Sequence, residues 1–210
     1  MDITLTFILG LVIALIGVIP PGLLNMTAAK ISMKEGHNRG FMFSAGACTI
    51  VIFQTAIAAV FAKYLSNHPD VIEVLQRVAF VIFVLIAIYF LLLANKQSSK
   101  PQVEAEAKSM GSRFFQGVLL SALNVFPIPF QAYMTLTLAS FGWMTFDKIS
   151  IISYVSGAVM GTFVMLYIYI LFFDKIKGKS FTSQKNMNLI IGSITGAIAI
   201  ITLINIIKEL

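Results

Sequence analysis

The chain has few of the residues that enzymes and metal proteins use for chemistry. Of its 210 residues, 11% are charged, two are histidines and one is a cysteine. The lone Cys48 cannot form an internal disulfide, and a membrane thiol–disulfide carrier would need two cysteines. His37 and His68 fall in separate loops, so they cannot share a metal ion. We therefore predict neither enzyme activity nor a metal site, and no cofactor.

Acidic side chains are nearly missing from the apolar segments of the chain. The one inside such a segment is Glu73, at the edge of the third segment. Carboxylates embedded in the membrane are the usual proton carriers of pumps. The sequence therefore argues against a proton path that is relayed by carboxylates.

Apolar residues, by contrast, make up 58% of the chain, and the mean hydropathy is +0.90. These values lie far outside the range of soluble domains and predict an all-α, polytopic membrane protein. Lys and Arg in cytoplasmic loops explain the net charge of +6, so we predict the lipid bilayer as a partner and no nucleic acid. The N-terminus lacks the positive charge and the small-residue cleavage pattern of a cleaved signal peptide.

Six transmembrane segments are predicted from the apolar runs. In chain order they cover residues 3–33, 40–62, 71–94, 113–143, 149–173 and 187–207. The polar stretch 95–112 has the composition of a linker. Eleven of the 15 Lys and Arg lie in, or at the edges of, the loops that follow odd-numbered segments, which predicts that these loops are cytoplasmic and both termini external.

Prolines interrupt the first and the fourth segment. Pro20 and Pro21 precede Gly22 in the first, and Pro127 and Pro129 lie in the fourth. Each proline removes a backbone donor, and a helix in lipid cannot leave carbonyls bare unless they are buried in protein or line a cavity. Two such breaks at corresponding positions indicate a transport site. We expect the two broken segments to pack together at their breaks.

The two halves also match in the spacing of their landmarks. Pro20 and Pro127 are 107 residues apart, and Gly46 and Gly157 are 111 residues apart. A repeat of three helices, an odd number, gives two halves of opposite orientation. We therefore predict a single transporter domain built from two inverted repeats. Its parts are repeat one (1–94), a cytoplasmic linker (95–112) and repeat two (113–210).

Uncharged polar side chains gather at the two breaks. An amide both donates and accepts hydrogen bonds, so it suits a zwitterionic or amide-bearing solute. The helix that restarts after Gly22 presents free N–H groups, which are natural partners for a carboxylate. Alternatively, the amides only hydrogen-bond the carbonyls that the prolines free. The predicted substrate-binding residues are Pro21, Gly22, Asn25, Gln54, Asn124, Pro127 and Gln131.

These motifs resemble those of the lysine exporter (LysE/RhtB-type) amino-acid translocator family. That family has Pro-Gly-Pro near the end of its first span, then glycines at intervals into the second span. Its second half has a glycine followed by Asn-Pro-Lys. The matching residues here are Pro20-Pro21-Gly22, Gly36, Gly40 and Gly46 in the first half, and Gly117, Asn124, Pro127 and Pro129 in the second, with Gln131 near the place of the missing lysine.

The resemblance covers nearly the whole chain in length and span layout. It implies a multi-pass protein of the bacterial cytoplasmic (inner) membrane that exports amino acids or similar small polar metabolites, commonly in exchange for protons. The partner would then be an amino acid-like small molecule, and a homo-oligomer is left open. One alternative is a metal-cation permease, for which the spans offer few ligands. Another is a non-transporting membrane scaffold or assembly factor, in which the proline breaks would be mere kinks.

Overall fold

In the computed structural model, every secondary-structure element of the described residues is a helix. The structure describes residues 3–19, 22–93 and 109–176 and isolated positions between 189 and 207. The helices are α1 (Ile3–Val18), α2 (Leu23–Glu35), α3 (His37–Ser66), α4 (Pro69–Ile88), α5 (Met110–Leu123), α6 (Pro127–Ser140) and α7 (Lys148–Ile176), with a π-helical turn, Tyr89–Leu93, after α4. The predicted all-α class is thus confirmed for this part of the chain.

The helix lengths fit membrane spans. Among the described residues, His37–Ser66 and Lys148–Phe172 are each long and apolar enough to cross a bilayer alone. The pairs α1–α2 and α5–α6 are bent by 78° and 64°, and counting each pair as one span gives four candidates. The predicted interruptions of the first and fourth segments are confirmed. The sixth predicted segment, 187–207, lies largely outside the described residues.

The described helices form two compact units. One unit contains α1, α2, α3, α5, α6 and nearly all of α7. The other contains α4, the π-helical turn and C-terminal positions, where Leu91 lies against Gly192 and Ala87 against Gly196. Both helix breaks belong to the first unit, so the candidate site can be described within it.

A tight hairpin joins α2 to α3. Gly36 connects the two helices with a φ of +93°, which residues with a side chain rarely adopt. Its N–H donates to the Ser32 carbonyl at 2.9 Å. Glu35, the last residue of α2, forms a buried ion pair with Arg113 at the start of α5. This pair links the end of the first broken helix pair to the start of the second.

Glycines allow two pairs of helices to pack at backbone contact. A Cβ atom added to Gly157 of α7 would lie 2.0 Å from the carbonyl oxygen of Phe7 in α1. One added to Gly117 of α5 would lie 2.0 Å from the carbonyl oxygen of Phe43 in α3. Because no side chain fits at these distances, glycine is required for both close approaches.

The helices of each close pair run parallel. Ser153 of α7 donates its hydroxyl to the Ile3 carbonyl at 2.7 Å, and Tyr169 donates to the Ile19 carbonyl at 2.7 Å. At both ends of α1, the hydrogen-bond partner in α7 lies 150 residues later in the chain. In α3 and α5 the residue numbers of the contacting partners also increase together, so these two helices run in the same direction. These two pairings fix which side chains of α7 and α3 reach the breaks.

Candidate functional site

Side chains from two helices donate hydrogen bonds to the backbone carbonyls that are freed between α1 and α2. Asn25, in the first turn of α2, donates from Nδ2 to the Val18 carbonyl at 2.7 Å. Tyr169 of α7 donates to the Ile19 carbonyl, and the side chains of Asn25 and Tyr169 are hydrogen-bonded to each other. Asn25 is 4% exposed. The Asn25 amide therefore hydrogen-bonds a carbonyl that the break frees, which is the alternative role named in the sequence analysis. A contact between Asn25 and a solute stays a prediction.

The start of α2 presents backbone donors at the first break. Gly22 is the N-cap residue, has an extended backbone and provides no side chain to cap the helix. The first intrahelical bond runs from the Met26 N–H to the Gly22 carbonyl at 3.0 Å. The N–H groups of Leu23 and Leu24 precede this bond, at the positive end of the helix dipole, where an anion is favoured. Pro21 lies outside the described residues.

The break between α5 and α6 is closed by a side chain of α3. Gln54 donates from its amide nitrogen to the Ser121 carbonyl at 3.0 Å and to the Asn124 carbonyl at 2.8 Å. Because both partners are acceptors, the nitrogen must face them and Oε1 must face away. Gln54 is 5% exposed, and its Oε1 has no hydrogen-bond partner among the described residues. Two predicted site residues, Gln54 and Asn124, are therefore in direct contact.

The start of α6 lacks the backbone donors that α2 offers. Pro127 and Pro129 have no N–H group, and the Ile128 N–H already bonds to the Val125 carbonyl at 3.2 Å. Pro127 is the first residue of α6. The side chain of Asn124 is half-buried, so its amide stays partly accessible while its backbone carbonyl is held by Gln54. The second break therefore offers acceptors and an amide but few backbone donors.

Gln131, one turn into α6, is held by α7. The Tyr154 hydroxyl donates to Gln131 Oε1 at 2.6 Å, and both side chains are buried. Tyr169 of the same helix bonds at the first break. A single long helix, α7, thus contacts the polar groups of both broken pairs.

The two breaks lie close together. A Cβ atom added to Gly17, next to the end of α1, would lie 2.7 Å from Cε1 of Phe130 in α6. The Phe130 ring stacks on Phe126, with ring centroids 6.2 Å apart, at the start of the same helix. This contact confirms the expectation that the two broken segments pack together at their breaks.

A separate groove of about 460 Å³ lies between the first turns of α1 and α7. Its lining is mainly apolar and includes Ile3, Phe7 and Ile152. The 16 residues of α1 span about 24 Å, which separates Ile3 at one end from the break at the other. The groove is therefore distinct from the site that the polar groups of the breaks form.

Sequence reasoning missed Tyr154, Tyr169 and Ser121. A tyrosine in an apolar segment is a signal, because a buried tyrosine hydroxyl usually finds a partner. Its partner here is fixed by the parallel pairing of α1 with α7, which the sequence does not display. Ser121 lies in an apolar run and looks like a small packing residue.

Comparison with known proteins identifies the family of the chain. The model of the family described as LysE type translocator matches residues 15–205 of the 210-residue chain, a range that includes both breaks. Searches of curated proteins and of solved structures gave no match. The family match confirms the resemblance found in the sequence and fits the apolar helices of a multi-pass membrane transporter. The chain belongs to the LysE type translocator family.

Proposed function

We propose that the protein is a secondary transporter that exports amino acids or similar small polar metabolites across the bacterial cytoplasmic (inner) membrane. The observation that carries this proposal is the contact between the two helix breaks, where Phe130 lies against Gly17. One break offers backbone donors and the other offers acceptors, as the two ends of a zwitterion require. The proton as the exchanged ion rests on the family resemblance alone.

The proposed architecture is six spans in two inverted three-helix repeats. Its parts are 1–94, the cytoplasmic linker 95–112 and 113–210. Support comes from contacts that are related by the offsets found in the sequence. Gly10 of α1 approaches the Tyr154 carbonyl, and Gly117 of α5 approaches the Phe43 carbonyl. Gly10 and Gly117 are 107 residues apart, Phe43 and Tyr154 are 111 apart, and such paired contacts are what a two-fold relation between the repeats requires.

The first break is the proposed site of the solute's carboxylate. The N–H groups of Leu23 and Leu24 lie there, at the positive end of α2. Gly22 has an extended backbone and ends the helix on this side, so these donors have no partner one turn earlier in α2, and Pro21 is proposed to belong to the same site. Asn25 holds the end of α1 through the Val18 carbonyl and so fixes the position of the donors.

The second break is the proposed site of the solute's amino or amide end. Asn124 is half-buried there, and Gln54 has an amide oxygen without a hydrogen-bond partner in the described part of the chain. Pro127 keeps the start of α6 free of a donor at its first position. Gln131 bounds the region one turn further on, where Tyr154 fixes its orientation.

Transport into inverted membrane vesicles tests the function. Labelled amino acids are offered singly outside vesicles whose interior has been made acidic, so a proton-coupled exporter accumulates its substrate. We expect saturable accumulation of one or a few amino acids, and its loss when an ionophore removes the pH gradient. Vesicles from cells without the protein are the control. If no amino acid or related metabolite accumulates while the protein is present in the membrane, the proposal is wrong.

A further inference from the structure

Three buried side-chain atoms near the second break have no hydrogen-bond partner among the described residues. They are Gln54 Oε1, Thr55 Oγ1 and Ser121 Oγ. Gln54 is 5% exposed, and Thr55 and Ser121 are completely buried. Leaving such atoms unpaired costs free energy, and buried polar atoms in proteins nearly always have a partner. The three residues, hereafter the cluster, are neighbours, because Thr55 follows Gln54 on α3 and Gln54 contacts Ser121, so their unpaired atoms need an explanation.

Two of the three atoms belong to residues in direct contact. The Gln54 amide nitrogen donates to the Ser121 carbonyl at 3.0 Å, and Thr55 is the next residue along α3. The same nitrogen bonds to the Asn124 carbonyl, so the amide cannot turn round to satisfy its oxygen. The amide oxygen is thus fixed as an acceptor at the interface between α3 and α5.

Other buried hydroxyls in the same unit satisfy themselves locally. Ser44 donates to the Gly40 carbonyl at 3.0 Å, and Thr162 donates to the Ala158 carbonyl at 2.9 Å, one turn back on its own helix. Thr55 and Ser121 sit on equally regular helices, where the same bond is the usual local choice for a hydroxyl. Their hydroxyls remain available to another partner.

The chemistry of these three residues indicates which kind of group that partner is. An amide oxygen only accepts, hydroxyl oxygens can accept, and the C-terminal end of α5 carries the negative end of its dipole. These features favour a donor with positive charge and disfavour a carboxylate or phosphate. The cluster contains no carboxylate, which a divalent cation would require.

We propose that Gln54, Thr55 and Ser121 bind a small monovalent cationic group through neutral oxygen atoms. Two sources share this chemistry: the ammonium group of the solute, and an alkali cation that accompanies it. Neutral oxygens beside a broken helix are a known way of holding such ions in transporters. The first source rests on the proposed function, whereas the second requires only the cluster itself.

Thermal unfolding of the purified full-length protein in lipid nanodiscs tests the site. Sodium chloride and methylammonium chloride are titrated against choline chloride at constant ionic strength, because choline is bulky and has no N–H donor. A ligand that binds only the folded protein raises its melting temperature. A saturable rise with methylammonium and not with sodium identifies the ammonium group. A rise with sodium, alone or as well, identifies the alkali cation.

Matched variants assign the effect to the cluster. Thr55→Val and Ser121→Ala remove unpaired hydroxyls, so both should fold, and each should weaken the stabilising ion's apparent affinity by roughly tenfold or more. Thr162→Val removes a hydroxyl that is satisfied by its own helix and should leave that affinity unchanged. If neither salt exceeds choline, or if the ion effect survives Thr55→Val and Ser121→Ala, the proposal is overturned and the cluster holds only water. A wild-type protein that binds but does not transport would contradict the proposed function and not this site.

Discussion

The break between α1 and α2 and the break between α5 and α6 are closed with different chemistry. At the first, two donors from two helices, Asn25 and Tyr169, each take one carbonyl. At the second, the single amide of Gln54 takes two carbonyls. The first break keeps backbone donors at the start of α2, whereas prolines remove donors from the start of α6.

This difference shows that related breaks need not be equivalent sites. If both were closed alike, they would offer the same groups and would suit a symmetric ligand. Instead, one region favours negative charge and the other favours positive charge. Under the proposed function, this asymmetry would give a solute with two unlike ends a single preferred orientation. The first three predictions below test the two breaks, and the last serves as a comparison away from them.

The largest expected effect comes from forcing α5 away from α3. A Cβ atom at position 117 would lie 2.0 Å from the Phe43 carbonyl oxygen, so Gly117→Ala should lower the free energy of unfolding by about 3 kcal/mol or more. Gly111→Ala on the same helix is the control, because nothing lies within 4 Å of its added Cβ. Thermal unfolding of both variants is the measurement. Equal stability of the two would mean that close contact with α3 does not hold the second break.

Removing the closing donors should cost more at the second break than at the first. Gln54→Leu removes two hydrogen bonds and leaves the Asn124 carbonyl without its side-chain donor, so it should cost about 2 kcal/mol or more. Tyr169→Phe removes one hydrogen bond and should cost about 1 kcal/mol. Tyr167→Phe, on an exposed part of α7, is the matched control and should have little effect. A cost for Tyr169→Phe as large as that for Gln54→Leu would remove the asymmetry.

Substitution of the two asparagines should have different kinds of effect, one on stability and the other on transport. Asn25→Ala removes the donor to the Val18 carbonyl and should lower the free energy of unfolding by about 1 kcal/mol. Asn124→Ala should leave unfolding nearly unchanged but raise the solute concentration for half-maximal transport by several-fold, since a lost hydrogen bond to a charged group weakens binding by about that much. Unfolding curves and transport titrations of both variants decide. Normal transport by Asn124→Ala would exclude its amide from the site.

The smallest effect is expected away from both breaks, at the N-cap of α7. Hydrogen bonds from the side chains of Ser150 and Thr145, and then from backbone N–H groups, lower the pKa of Asp147 below its usual value. A carboxyl with a lowered pKa stabilises the fold above its unfolded pKa of about 3.9, and this stabilisation is lost as the pH falls.

Asp147→Asn keeps acceptors for the helix N–H groups but removes the charge, so it isolates this pH term. Its melting temperature should fall slightly less than that of the wild type between about pH 5 and pH 3. The measurement is a series of unfolding scans across this range. An equal fall in both proteins would show that the hydrogen bonds to Asp147 do not depend on its ionisation.

Much of the framework could be predicted, because prolines and amides are conspicuous in an apolar chain. The breaks at Pro20-Pro21-Gly22 and Pro127 follow from missing backbone donors, and the contact of Gln54 with Asn124 joins two residues that the sequence singled out. The role of Asn25 could not be decided, since the same amide can serve a solute or a carbonyl. Tyr169 could not be assigned at all, because its partner depends on the register between helices 150 residues apart in sequence.

The constant offset of 150 residues between α1 and α7 also means that the partners of each hydrogen bond are synthesised at different times. At roughly 5–20 residues per second, Tyr169 leaves the ribosome about 8–30 s after the carbonyl that it will hold. Asn25 lies only 7 residues after Val18, so it can hold that carbonyl during the interval. The Ile19 carbonyl, by contrast, receives its donor only after most of the second half of the chain has been synthesised.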